Sequence, residues 1–172
     1  MTAGDKNAIH RFITVTRNYC AAVERPTGAT AEAFLQEMLP RLVELYATAL
    51  ALPDVEPADD DREWPGMTHE EWKVVFDDLR ERIVDYQLYW TTDGFPLRTD
   101  DTSPPLLCGD LANDLADIYR DLKDSLDQWE TGEDSHRVSA LWEWRFGFHA
   151  HYGQHIVDAV RVIHRVVEGR DD

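Results

Sequence analysis

The 172 residues carry 34 Asp and Glu against 17 Lys and Arg, a formal net charge of −17. That balance excludes a bare nucleic-acid backbone as partner, since phosphates need basic side chains opposite them, and favours cations and basic protein surfaces. Hydrophobic residues at 43 %, six Trp among them, suit one domain over residues 1–172 that buries its core without disulfides or metal staples.

No apolar run spans a bilayer, and the opening MTAGDKNAIHRF lacks the apolar centre of a signal peptide. The two cysteines, Cys20 and Cys108, imply no disulfide framework. The expectation is a cytoplasmic protein with no membrane contact and reduced thiols.

Five helical patterns follow in chain order. The first runs from about Asn7 to Glu24, with Phe12, Val15, Tyr19 and Val23 on one face. The second begins after Thr30 and reaches about Ala51, carrying Phe34, Met38, Leu42, Leu45, Tyr46 and Ala49. Pro40 inside it predicts a kink or break. The acidic loop LPDVEPADDDREWPG leads to Thr68 and Glu71, a capping box ahead of Trp72, Val75, Phe76, Leu79 and Ile83. A second long loop, TTDGFPLRTDDTSPP, precedes a fourth helix over roughly Leu107 to Glu130, stopped by Gly132. The fifth spans about Ser135 to Glu168. No strand alternation is evident, so the predicted class is all-α: a compact antiparallel bundle of four to five helices with a long central C-terminal helix.

The fourth helix reads GDLANDLADIYRDLKDSLDQW. At about 100° per residue, Asp110, Asp114, Asp117, Asp121 and Asp124 fall within about 80° of arc. Each successive pair costs about 0.2–0.5 kcal/mol by like-charge repulsion, and glutamate would supply the same charge in a better helix former. The helix dipole favours Asp110, a candidate N-cap, and Asp114, but not Asp121 or Asp124. Three readings stand: a solvated acidic edge, pairing with arginines of the fifth helix, or a bound cation.

On the fifth helix Trp142, Trp144, Phe146, Phe148, Tyr152, Ile156, Val160 and Ile163 cover more than half the circumference, which predicts enclosure by other helices. In FHAHYGQH, His149 points about 160° away from His151, into the apolar sector. His149 and His164 read as core histidines. His151, His155 and Asp158 share a face as H-x3-H-x2-D, a ligand set one helix can offer to one divalent metal ion, with Asp114 or Asp117 as a fourth ligand. The alternative is a polar seam in which His151 and His155 bond to the Asp stripe, with Asp158, Arg161 and Arg165 completing it. Lacking the intervening Glu, the pattern is not the zincin motif.

Together TRNYCAAVE, LPRLVELYATALALP, LANDLADIYRDLKDSL and WRFGFHAHYGQHIVDAVRVIH resemble, in that order, a bacterial domain-of-unknown-function family, numbered 5063. The resemblance covers nearly the whole chain and is most specific in DLADIYRDLK and DAVRVIH. It implies an all-helical cytoplasmic domain and carries no activity. On its motif positions it points to Asp114, Asp117, Tyr119, Asp121, Lys123, Asp158, Arg161 and His164.

The leading expectation is a non-enzymatic adaptor with no cofactor, acting through a protein partner with a basic surface. Its seam would set Asp114 and Asp117 against Arg161, His151 and His155. The rival is a divalent-metal-dependent hydrolase holding its ion at His151, His155 and Asp158 with Asp114 or Asp117, with Asp121 as general base. A third reading makes the acidic face a DNA mimic or a dock for a basic protein.

Overall fold

The computed structural model describes residues 1–28, 30–58, 64–92 and 106–169. The centre of the acidic loop (59–63) and most of the second loop (93–105) lie outside these. The elements are α1 (Ala3–Glu24), α2 (Ala31–Ala49), α3 (His69–Arg82), a 3-10 turn (Val84–Tyr86), β1 (Leu88–Thr92), β2 (Leu106–Asp110), α4 (Leu111–Glu130), α5 (Asp134–Gly147), a π-helical turn (Phe148–Tyr152) and α6 (Gly153–Glu168). From α5 to α6 the chain forms one 35-residue C-terminal helix.

Local chemistry sets the ends. Thr2 with Asp5, and Thr68 with Glu71, form reciprocal capping boxes, and Thr30 caps α2 through the Ala33 N–H. The carboxylate of Asp110 accepts from the N–H groups of Ala112 and Asn113, so α4 begins at Leu111 and not Leu107. Beyond its end, Gly132 adopts φ 83°, the left-handed conformation that suits glycine after a helix.

Two sequence expectations need correction. Pro40 does not break α2: it faces solvent, so the Gln36 carbonyl it leaves without an i+4 donor is open to water. Residues 88–92 and 106–110, of which 91–92 are expected to open a loop and 107–110 a helix, pair instead as an antiparallel ribbon with Tyr89 opposite Gly109 and Trp90 opposite Cys108. A backbone hydrogen bond from Leu111 to the Gln87 carbonyl joins the ribbon to the start of α4.

Helix α4 packs against α1, α3, α5 and α6, while α2 packs against α1 and α6. Leu111, Leu115, Ile118 and Leu122 are fully buried, and Ala112 and Ala116 let neighbouring helices come close. Trp144 from α5 is fully buried edge-on to Phe12, and its indole N–H donates to the Leu122 carbonyl. These contacts fix the rotation of α4 so that its aspartates face the turn between α5 and α6.

Candidate metal centre

Asp114, Asp117 and Asp121 lie one turn apart on α4, opposite His151 in the π turn and His155 in the first turn of α6. Nδ1 of His155 is 2.7 Å from Oδ1 of Asp114, and Nδ1 of His151 is 2.6 Å from Oδ2 of Asp121. A carboxylate at Nδ1 places the proton there, so both rings donate to their aspartates. That leaves two Nε2 lone pairs facing each other across 3.3 Å. Such a pair is satisfied only by something positive between them, a shared proton or a metal ion.

The separation discriminates between geometries. With Zn–N bonds of 2.0–2.1 Å and a tetrahedral angle, two ligand nitrogens stand about 3.3–3.4 Å apart, whereas a right angle would bring them to about 2.9 Å. Oδ2 of Asp117 lies 3.9 Å from Nε2 of His155, about half an ångström beyond tetrahedral spacing. Ligand atoms from Asp117, His151 and His155 all fall within 4.8 Å of one another. These three could hold a metal, with Asp114 and Asp121 behind the rings in the carboxylate–histidine–metal arrangement that fixes tautomer and raises ligand basicity.

The surroundings are ordered to match. Asp114 is 5 % exposed and also accepts from the Tyr89 hydroxyl at 2.6 Å. Burial, then the hydrogen bond to Asp114, pushes the Tyr89 pKa well up, so the phenol stays a donor. Gly109 opposite makes this possible, because a Cβ there would stand 2.2 Å from the Tyr89 ring. Asp117 takes hydrogen bonds from Asn113 (2.8 Å) and an ion pair with Arg120 (3.1 Å), whose Nε lies 3.5 Å from Asp121. Burial disfavours a charged His155, yet the hydrogen bond to Asp114 and the charges of Asp114, Asp117 and Asp121 outweigh it and raise its pKa.

The site sits on the π turn, a feature that often accompanies function in otherwise regular helices. Tyr152 braces the turn by donating to the Trp144 carbonyl at 2.7 Å. Beside the centre opens a cavity of about 650 Å³ whose wall includes His151, Asp121, Asp124, Glu143, Trp64 and Trp142.

Other sequence candidates fall elsewhere. Asp158 accepts from Gln154 and pairs with Arg161, apart from the cluster of ligand atoms. Arg161 lies over the Tyr89 ring at 5.4 Å. Tyr119 donates to Glu24 of α1 and Lys123 pairs with Asp127, on a different side of α4 from the histidines. Asp124 accepts from the Met67 backbone N–H at 2.8 Å and ties the loop before α3 to α4. His149 and His164 are exposed, which corrects their reading as core residues. The π turn shifts the wheel ahead of His151, and His164 stands about 140° from the buried stripe centred on Ala159. With Asp114 and Asp117 buried, the stripe does not form the exposed ladder that a DNA mimic needs.

Among the described residues no helix is long and apolar enough to cross a membrane. No curated protein matches the chain. Among solved structures it is similar to protein BF1032 from Bacteroides fragilis, a structural-genomics target, at 24 % identity and a TM-score of 0.81, over 95 % of this chain and 94 % of that one. The fold is therefore shared with that protein. The family model described as "Domain of unknown function (DUF5063)" matches residues 4–168, and the chain belongs to that family.

Proposed function

We propose that the protein is a divalent-metal-dependent enzyme of the hydrolytic class, its ion held by His151, His155 and Asp117. The observation that carries this is the pair of Nε2 atoms facing across 3.3 Å, each ring backed by an aspartate. Three protein ligands leave a coordination position open, the mark of catalytic rather than structural sites, and the centre borders a cavity. A bound ion would supply Lewis acidity and a more acidic water. The chain's own part is to orient the rings through Asp114 and Asp121 and to offer a proton acceptor. Asp121, the acceptor suggested by sequence, is engaged by His151, whereas Glu143 lines the same cavity. Desolvation and then the charge of Asp121 raise the Glu143 pKa, so its charged form gains from a cation beside it.

The test is metal content of untagged protein purified without chelator, with thermal melts in EDTA and with added Zn²⁺, Mn²⁺ or Mg²⁺. One ion per chain, a melt raised by one of these ions, and loss of both in His151→Ala are expected. No metal and no ion-specific response would overturn the proposal.

A second reading, an adaptor for a protein partner, draws support from the ribbon. Leu88, Trp90 and Leu106 are 68 %, 69 % and 68 % exposed on its outward face. A partner lost in Trp90→Ser but kept in His151→Ala would put this reading first.

A further inference from the structure

The cavity beside the centre has a wall chemistry of its own. Asp121, Asp124 and Glu143 supply carboxylates, and Trp64, Trp142 and Phe146 supply aromatic surface. Trp142 and Phe146 stack with centroids 4.9 Å apart and planes 6° from parallel, giving one continuous π surface along α5. Among the described lining residues there is no Lys or Arg. At about 650 Å³ the space matches a small organic ligand.

Charge decides which kind. Asp114, Asp117, Asp121, Asp124 and Glu143 together bring five negative charges to the centre and cavity. A divalent ion and Arg120, which pairs with Asp117 and Asp121, return three positive ones. Among the described residues, even with metal bound, two negative charges are left over, on the cavity side. Desolvation is the first cause that raises the pKa of both Asp124 and Glu143; at Asp124 the Met67 N–H and the charge of Arg120 work against it, whereas among the described residues no cation does so at Glu143. A phosphate or carboxylate ligand would meet repulsion here, while an ammonium can pair with the acids and lie against the rings.

We infer that this cavity binds an organic cation, an alkylammonium carried on an apolar body, placed between Glu143 and the Trp142–Phe146 surface. This names the substrate class of the centre proposed above and rests on that reading for where the reacting bond lies, though not for the binding itself. The substrate's charged end would occupy the aromatic side, and the bond to be hydrolysed would reach toward His151.

The test is calorimetric titration with three ligands of one shape: phenethylammonium, neutral 2-phenylethanol and anionic 3-phenylpropionate. Zinc-loaded and EDTA-treated wild type are compared with Glu143→Gln. The ammonium should bind at least about ten-fold more tightly than the alcohol, with the anion weakest, and Glu143→Gln should lose about ten-fold for the ammonium alone. Zinc content should be unchanged in that variant. Equal or tighter binding of the anion, or an ammonium affinity indifferent to Glu143→Gln, overturns the inference, and the wild-type charge series decides it even if the variant folds poorly. Charge-selective binding in protein that takes up no zinc would sink the metal centre and support the cavity. Histidine-dependent zinc uptake without charge preference would do the reverse.

Discussion

Replacing Asp114 by asparagine isolates the carboxylate behind His155 from everything else it touches. The side chain is 5 % exposed and accepts two hydrogen bonds, from His155 Nδ1 at 2.7 Å and from the Tyr89 hydroxyl at 2.6 Å. Asparagine keeps the shape, can accept from the ring through its oxygen, and can donate to the phenol oxygen through its amide. What it removes is the charge that makes His155 a better ligand. Loss of such an outer partner costs roughly 10–100-fold in metal affinity, or about 1.4–2.7 kcal/mol. At free zinc a thousandfold above the wild-type Kd, metal stabilises the native state by about 4.1 kcal/mol. The zinc-induced rise in melting temperature should then shrink by about a third to two-thirds in the variant. Competition against a chromogenic chelator gives the Kd, and melts with and without zinc give the shift. Wild-type affinity in Asp114→Asn would refute the orienting role. A loss beyond about a thousandfold would mean that Asp114 is itself a ligand.

Gly109→Ala places a Cβ within 2.2 Å of the Tyr89 ring, so Tyr89 must leave Asp114; urea melts should show a loss of about 1–3 kcal/mol and metal affinity should fall. Asp124 has its pKa raised first by desolvation, so its charged form is disfavoured in the native state. The penalty is absent below the unfolded carboxyl pKa and grows as pH rises through the folded one. Asp124→Asn should therefore gain stability relative to wild type from acid to neutral pH, read from denaturant midpoints at both. Burial pushes the Cys20 thiol up to about 12, whereas Cys108 is exposed. At pH 8 a disulfide reagent should titrate one thiol in native protein and two after denaturation. Leu122→Ala, in the core beneath the site, should cost about 2–5 kcal/mol in the same melts, because Leu122 is fully buried.

Much of the helical frame was legible because caps and apolar spacing are local signals. Thr68 with Glu71, Asp110 as N-cap and Gly132 as stop all emerge from residues within one turn of each other. Spacing within one helix placed His151 with His155, and Asp114 with Asp117, on common faces, whereas the His155–Asp114 pair itself spans 41 residues. The ribbon was hidden because its strands are five residues each and far apart in the sequence, and pairing across such a gap leaves no periodic trace. Tyr89 and Gly109 were hidden with it, although Tyr89 sets the position of Asp114. The π turn escaped a wheel drawn at constant pitch, and with it the exposure of His149. Tyr119 and Lys123, to which the family resemblance points, each follow a stripe residue by two positions, about 200° round the helix, and so lie on another side of it.

The most direct test of the metal centre is zinc K-edge X-ray absorption on stoichiometrically loaded protein, with His151→Ala and His155→Ala alongside. The expected result is a four-coordinate ion with two imidazole nitrogens at about 2.0–2.1 Å and one carboxylate oxygen at a similar distance, and one imidazole fewer in each variant. A shell of oxygens alone, or imidazole scattering unchanged by either substitution, would contradict it.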